Sequence, residues 1–125
     1  MVEAELVGAW RDILERYHAT WGALDRALRE RHQLGATEFE VLDQLAEVPA
    51  DDCADCRMQD LGSRVQLSQS ALSRVVSRLE QDGLVTRSMC ADDRRGIFVA
   101  LTSTGRARHA EAMSTHRSVL AENLS

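Results

Sequence analysis

Hydrophobic positions in the first thirty residues recur at steps of three and four. This spacing lines apolar side chains along one side of an α-helix, so we expect a long amphipathic helix over residues 4–32 that ends near Gly35. The stripe consists of Leu6, Trp10, Ile13, Leu14, Tyr17, Trp21, Leu24 and Leu28. A single stripe on so long a helix usually packs against other helices, some of which a partner subunit can supply.

Two shorter helices are predicted to follow. Thr37 and Glu40 form a capping-box pattern in front of an apolar run, which indicates the start of a helix, and Pro49 is expected to stop it. After a polar loop, residues 58–65 are expected to form a short helix with Gln59 as its N-cap, a weak choice for that position.

Residues 68–82 predict an amphipathic helix with an unusual polar face. Ser68 is its expected N-cap, and Gly83 is well placed to end it. At about 100° per residue, one side carries Leu72, Val75, Val76 and Leu79. The other side carries Ser70, Ser73, Arg74, Ser77 and Gln81. The first three turns of this polar side contain no acid, whereas an ordinary solvated face mixes both signs of charge.

A β-hairpin is predicted to follow this helix. Residues 84–90 and 97–101 are strand-like runs, and the polar stretch 91–96 between them, which contains a glycine, indicates a turn. Thr102 or Ser103 is then expected to cap a last helix. A small hairpin behind two helices joined by a tight turn is the layout of a winged helix.

The composition is that of one ordinary globular domain. The 125 residues are 44% hydrophobic and 28% charged, and no linker divides them. We therefore expect a single domain over residues 1–125, mainly α with one small β-hairpin. In it, a winged helix-turn-helix over 35–102 lies between helices over 4–34 and 103–125. The sequence has no transmembrane window and no signal-peptide pattern, so a cytoplasmic location without membrane contact is expected.

The net charge of −5 at first argues against binding to nucleic acid. However, residues 1–56 hold five arginines against thirteen acids, whereas residues 57–95 hold seven arginines against five acids. All 15 basic residues are arginine, which suits bidentate contacts with phosphate and guanine. The basic part coincides with the unusual helix and the hairpin.

The polar face of residues 68–82 suits the major groove of DNA. Serine hydroxyls allow close approach, Gln69 can pair with adenine, and Arg74 or Arg78 can contact guanine or phosphate. The candidate DNA-contacting residues of this helix are Ser68, Gln69, Ser70, Ser73, Arg74, Ser77 and Arg78. The alternative is a solvent-exposed face that merely lacks acids, because helix-turn-helix patterns produce many false positives.

Arg94 and Arg95 lie at the expected tip of the hairpin. From there they can reach the minor groove of DNA, and Asp93 can brace Arg95 across the turn. The alternative is an ordinary charged turn whose ion pairs contribute little. Together with the polar helix face, the tip favours contact with double-stranded DNA.

Several motifs resemble those of the MarR family of winged-helix regulators (multiple antibiotic resistance regulators). Residues 67–80, LSQSALSRVVSRLE, resemble its recognition helix, and residues 82–87, DGLVTR, resemble the Gly-Leu-Val-x-Arg start of its wing. Residues 92–96, DDRRG, and 99–105, VALTSTG, resemble the Asp-x-Arg wing and the Leu-Thr-x-x-Gly stretch after it. The similarity is close over residues 35–108.

This resemblance implies a sequence-specific transcriptional regulator, usually a repressor. It implies a homodimer on a near-palindromic operator, released by a small-molecule effector or an oxidant. It also implies that Arg95 is the minor-groove residue of the wing and Asp93 its brace. Family members usually continue into a further C-terminal helix that completes the dimer. Since only 23 residues follow Thr102, the helices over 4–34 and 103–125 are expected to form the dimer interface.

Three cysteines leave the regulatory chemistry open. Cys53 and Cys56 have a Cys-x-x-Cys spacing, and Cys90 begins the wing. Such thiolates can share a zinc ion with a histidine such as His109 or His116, or they can be oxidised. A redox- or metal-responsive regulator on the same fold is therefore one alternative. Ordinary loop cysteines, with no cofactor, are the other.

An aromatic cluster of Trp10, Tyr17, His18 and Trp21 is a candidate pocket for a small aromatic effector of the kind that family members bind. A tryptophan stripe at helical spacing more often belongs to a hydrophobic core. His109 and His116 share one face of the last helix without an obvious partner in the sequence.

Enzymes and protein-binding modules are the other classes of protein to weigh. The sequence has no His-Glu-x-x-His, Gly-x-Ser-x-Gly, P-loop or dinucleotide-binding glycine pattern, so no enzymatic activity is expected. A winged helix that binds only proteins is the alternative to a DNA-binding regulator, and salt-dependent binding to DNA separates the two.

Overall fold

The polypeptide folds into five helices and one antiparallel two-stranded hairpin over its described residues. The computed structural model describes residues 2–47, 57–90 and 93–125, and the side chains of all of these except residues 90 and 93–95. The elements are α1 (Glu3–His32), α2 (Ala36–Ala46), α3 (Met58–Val65), α4 (Gln69–Gln81), β1 (Val85–Cys90), β2 (Asp93–Leu101) and α5 (Ser103–Leu124). The expected fold, mainly α with a small hairpin, is confirmed. None of the described helices is both long and apolar enough to cross a membrane.

Helix α2 begins before its expected cap, because α1 supplies a hydrogen-bond acceptor. The Asp25 carboxylate of α1 accepts a hydrogen bond from the Ala36 N–H (2.9 Å), and the Glu38 carboxylate accepts one from the Gly35 N–H (3.2 Å). These two acids satisfy N–H groups that a helix leaves free at its start. The capping box expected over Thr37–Glu40 is therefore wrong.

The charge state of Asp25 favours its hydrogen bond to the start of α2. The hydrogen bond from Ala36 lowers the pKa of the Asp25 carboxyl; burial opposes the effect, and the Arg29 guanidinium, 2.8 Å away, adds to it. The carboxylate is therefore charged at neutral pH and binds the start of α2. Pro49, the expected end of α2, lies outside the described residues.

The helix-turn-helix keeps its expected bounds with one correction. The N-cap of α3 is Arg57, not Gln59, because the Arg57 carbonyl accepts the first helical hydrogen bond from the Leu61 N–H (2.9 Å). Ser68 caps α4 as expected, since its hydroxyl accepts a hydrogen bond from the Ala71 N–H (3.2 Å).

The wing is longer than the apolar pattern indicates. Its strands pair from Val85 with Leu101 to Cys90 with Asp93, with an irregularity between Ser88 and Cys90. The polar turn expected over residues 91–96 is therefore wrong for residues 93–96, which belong to β2. Backbone pairing in a two-stranded ribbon does not need apolar side chains, so hydrophobic alternation underestimates the strand length.

Helix α2 lies at the centre of the fold, where it contacts α1, α3, α4, α5 and β2. Its Phe39, Val41 and Leu42 are fully buried. The fully buried side chains that the other segments contribute to the core include Leu28, Leu34, Leu72, Val76, Leu79, Leu84, Val85 and Val99. Helices α1 and α5 pack against each other.

Only the C-terminal half of α1 belongs to this core. Leu24 and Leu28 are buried, but the stripe residues nearer the N-terminus, Leu6, Trp10, Ile13 and Tyr17, are 54–61% exposed. The interpretation of the tryptophan stripe as core is therefore wrong for Trp10. The rest of the described chain leaves this end of α1 uncovered.

The end of α4 and the start of α5 approach each other closely. Gly83 follows α4 with a left-handed φ of 76°. The Thr102 N–H donates to the Leu84 carbonyl (3.0 Å), and the Thr102 hydroxyl donates to the Gly83 carbonyl (2.7 Å) while it accepts from the Gly105 N–H (2.9 Å). A Cβ on Gly105 would overlap the Leu84 carbonyl. Residue 105 must therefore lack a side chain for α5 to start here.

We expect Gly105→Ala to lower the free energy of unfolding by about 1–3 kcal/mol, because backbone atoms have to move away from the new methyl group. Urea denaturation measures the change. The control is Gly22→Ala in α1, where an added Cβ meets nothing within 4 Å. That variant is expected to raise the stability by about 0.5–1 kcal/mol. A neutral or stabilising Gly105→Ala would contradict the close approach.

Candidate nucleic-acid interface

Helix α4 presents a polar face to solvent. Its exposed side chains over the first three turns are Gln69, Ser70, Arg74 and Arg78, and the N-cap Ser68 is exposed as well. Leu72, Val76 and Leu79 are buried and attach the opposite side of the helix to the core. The first acid on α4 is Glu80, in its last turn. The fold thus exposes an acid-free, arginine-containing surface.

Gln69 lies directly over α3. A Cβ on Gly62 would come within 2.5 Å of the Gln69 Nε2 atom, and the Gly62 carbonyl accepts a hydrogen bond from the Leu67 N–H (3.0 Å). The absence of a side chain at Gly62 therefore leaves room for the end of the Gln69 side chain against α3.

Ser73 and Ser77 are half-buried on the side of α4 that faces the wing. Arg87 of β1 donates through Nη2 to the Ser73 carbonyl oxygen (2.7 Å) and to the Ser77 hydroxyl (2.9 Å). These two serines therefore lie at the edge of the exposed face. Sequence analysis did not assign Arg87 a role; its place in the DGLVTR motif was the only signal.

Three arginines surround a recess of about 330 Å³ between the start of α2 and the side of α4. Arg29, Arg74 and Arg78 line it together with the buried Glu38. Arg78 lies 3.8 Å from the Glu38 carboxylate and is 63% exposed. The net positive charge of this recess suits an anionic group such as a DNA phosphate.

Two arginines lie at the start of β2, next to the turn of the wing. Arg94 and Arg95 belong to β2, as does Asp93, whose backbone pairs with Cys90. Their side chains are outside the described parts of the chain, so the brace between Asp93 and Arg95 stays a prediction.

The two histidines of α5 have partners on α2 that the sequence did not reveal. His109 Nε2 lies 2.6 Å from an Asp43 carboxylate oxygen, and His116 Nε2 lies 3.2 Å from Glu40 Oε1. Phe39 stacks on both imidazole rings, at centroid distances of 5.4 Å and 4.4 Å. This cluster joins α5 to α2, the helix that also contacts α3 and α4.

Asp43 is the charged centre of this cluster. Burial opposes its ionisation, but the hydrogen bonds from His109 and Arg117 outweigh burial and lower the pKa of the carboxyl. Among the described residues, no three side chains come together as ligands for a metal ion. Cys53 and Cys56 lie outside the described residues, as does the side chain of Cys90, so a zinc or redox site there stays a prediction.

Part of the aromatic cluster lines an apolar cavity of about 290 Å³ between α1 and the end of α5. Its walls include Ile13, Tyr17, Trp21 and Leu124. Tyr17 stacks on Trp21 with ring centroids 6.0 Å apart, whereas Trp10 and His18 do not line the cavity.

A buried hydroxyl also belongs to the cavity wall. Thr20 lines the cavity and is only 8% exposed, and its Oγ1 atom has no hydrogen-bond partner in the described part of the chain. Because this hydroxyl is buried and the surface that lines the cavity is almost entirely apolar, the cavity suits an apolar molecule.

A model of the MarR family matches residues 32–96, which is more than half of the chain and includes α2, α3, α4 and most of the wing. The chain belongs to the MarR family. The fold is therefore a MarR-type winged helix-turn-helix in which the long first and last helices are in contact. The family is one of transcriptional regulators that bind DNA, in agreement with the expectation of a chain that is not an enzyme.

Individual MarR-related proteins show the same similarity. The homoprotocatechuate degradative operon repressor of Escherichia coli is 30% identical over 71% of this chain, and the match covers 57% of that repressor. The crystal structure of Sco3205, a MarR regulator from Streptomyces coelicolor in complex with DNA, is 29% identical with a TM-score of 0.87 over 98% of this chain and 75% of that one. CouR from Rhodococcus jostii, bound to p-coumaroyl-CoA, is 25% identical with a TM-score of 0.76 over 88% of this chain and 74% of that one.

Proposed function

We propose that this MarR-family chain is a sequence-specific repressor that binds a near-palindromic operator as a homodimer and is released by a small aromatic effector. The observation that carries the proposal is the exposed face of α4, where Gln69, Ser70, Arg74 and Arg78 stand without an acid over three turns. A regulator of this kind acts on the chromosome, in the cytoplasm.

The residues divide into base-reading and phosphate-binding groups. Gln69 and Ser70, at the start of α4, are proposed to approach base edges in the major groove. Arg74 and Arg78 border the recess at the start of α2, where a backbone phosphate balances their charge. Ser68 is proposed to bind phosphate, and Arg94 and Arg95 are proposed to enter the minor groove from the wing.

We expect Arg74→Ala to weaken binding to DNA and to reduce the slope of log affinity against log salt by about one, because one phosphate contact is lost. The probe is a duplex selected by the wild-type chain from a randomised pool about two helical turns long. Fluorescence anisotropy over a series of salt concentrations measures both quantities.

Arg11→Ala is the control, because Arg11 is an exposed arginine on α1 that does not line the recess beside α4. It is expected to leave the salt slope unchanged. A wild-type chain that selects no sequence and binds DNA without dependence on salt would contradict the proposal and favour the winged helix that binds only proteins.

The uncovered end of α1 supports a homodimer. Leu6, Trp10 and Ile13 expose more than half of their surface, and Leu124 of α5 is 51% exposed nearby. A contiguous exposed apolar surface of this kind marks an interaction site. A second copy of the chain, which presents the same two helices, is the proposed partner. Half-buried Leu14 and Leu120 lie beside this surface, and Val119 is already buried within the chain.

We expect Trp10→Glu to raise the dissociation constant of the dimer by about 30-fold or more, because a central aromatic side chain at an interface contributes about 2 kcal/mol or more. Sedimentation velocity over a dilution series measures the change. Ala4→Glu, on the exposed opposite side of α1, is the control and should leave the dimer intact. A wild-type monomer, or a dimer indifferent to Trp10→Glu, would refute this interface.

The cavity beside Trp21 supports regulation by an effector. It combines almost entirely apolar walls with Arg16 at its edge. Aromatic ligands with a polar substituent fit that combination. The E. coli relative represses a homoprotocatechuate degradative operon, and CouR binds p-coumaroyl-CoA, so phenolic compounds are the class that we propose.

We expect homoprotocatechuate, used as the probe, to quench the Trp21 fluorescence of a Trp10→Phe variant and to release DNA. The emission reports binding because Trp21 lines the cavity. Unchanged Trp21 emission together with undiminished DNA binding would refute the choice of ligand class.

A further inference from the structure

Arg87 ties the wing to α4 through a small set of hydrogen bonds. Its Nη2 atom donates to the Ser73 carbonyl oxygen (2.7 Å) and to the Ser77 hydroxyl (2.9 Å), and it lies 3.4 Å from the Ser73 hydroxyl. The Arg87 backbone N–H donates to the Glu80 carboxylate (3.2 Å). The strand is thus held along two turns of the helix.

The Arg87 guanidinium forms its hydrogen bonds to α4 through its Nη2 atom. Its Nε atom is buried and has no hydrogen-bond partner within the described parts of the chain. An Nη2 group carries two hydrogens, so the two shorter contacts, to the Ser73 carbonyl and the Ser77 hydroxyl, use both.

This bonding assigns a direction to the Ser77 hydroxyl. A serine oxygen that accepts a hydrogen bond from arginine keeps its own hydrogen for donation. Within the described residues, Arg87 is the only partner of this hydroxyl, so the hydrogen is available to a group outside the chain. Ser77 lies one turn beyond Arg74 and next to Arg78, at the edge of the exposed face.

We propose that Arg87 is a positioning residue that holds Ser77 as a hydrogen-bond donor to an acceptor atom of DNA. A free serine hydroxyl donates or accepts and therefore does not distinguish the two kinds of group on a base edge. Held by Arg87, it selects an acceptor: N7 of a purine, O6 of guanine, O4 of thymine, or a phosphate oxygen. This inference rests on the proposed DNA-binding function and adds a specificity-determining pair to it.

The test measures binding of Ser77→Ala, Arg87→Met and the double variant to the duplex that the wild type selects. Each single variant is expected to bind about threefold to tenfold more weakly, as for one lost hydrogen bond. The double variant should bind no more weakly than either single variant, because Arg87 acts through Ser77. Arg87→Lys, which keeps a donor, should recover part of the affinity.

The dependence of DNA affinity on salt distinguishes an arginine that positions Ser77 from one that binds phosphate directly. Arg87→Met removes a positive charge, yet its salt slope should equal that of the wild type because Arg87 does not bind phosphate. Arg11→Met and Ser114→Ala, at exposed positions on α1 and α5, are the matched controls. Thermal unfolding of each variant verifies the fold, and Ser77→Ala tests the pair without altering Arg87.

The outcomes are distinguishable. Loss confined to one base position of each half-site identifies a base acceptor, and equal loss on all sequences identifies a phosphate; both support the inference. Single losses that multiply in the double variant, or a Ser77→Ala chain that binds as the wild type does, overturn it. A wild-type chain that selects no sequence overturns the proposed function instead.

Discussion

The burial of Phe39 at the centre of α2 is the constraint on which the rest of the structure depends. Its ring stacks on the imidazoles of His109 and His116. These two histidines bind Asp43 and Glu40, which also belong to α2. An aromatic ring stacked on two hydrogen-bonded imidazoles fixes α5 against α2 in both distance and rotation. Because α2 also contacts α1, α3, α4 and β2, its position decides where every other element lies.

The orientation of the polar face of α4 follows from the central position of α2. Leu72, Val76 and Leu79 are inserted into the core below the helix, and Arg87 holds its edge from the wing. The helix therefore has little freedom to rotate, and its polar face keeps one orientation relative to the wing. Rigid support of this kind lets short side chains such as serine contribute to recognition, since they have no length with which to compensate for a displaced backbone.

Charge is distributed unequally along the chain: acids outnumber arginines in residues 1–56, and arginines outnumber acids in residues 57–95. The thirteen acids of residues 1–56 include Asp25, Glu38, Glu40 and Asp43, all of which are used inside the fold. The low pKa of Asp43 reflects that use, because the charged carboxylate is the form that His109 and Arg117 bind. The acidity of the chain is therefore partly structural and does not oppose an arginine-bearing surface on α4.

Local patterns in the sequence determined the helices, the cap at Ser68 and the polar face of α4, because each depends on side chains a few residues apart. They left the cap of α5 open between Thr102 and Ser103, and the structure selects Thr102. Those patterns, with their resemblance to the MarR family, were enough to predict the fold and to single out α4 as the helix proposed to contact DNA. Contacts between distant segments were decided only by the tertiary structure. They include the hydrogen bond from the start of α2 to Asp25, the acidic partners of both histidines and the hydrogen bond from Arg87 to Ser77. The exposure of Trp10 was likewise decided only by the tertiary structure. The physical reason is that a hydrogen bond across 66 residues, such as that from His109 to Asp43, leaves no periodic trace in the chain, and a hydrophobic stripe does not reveal which part of it a neighbour covers.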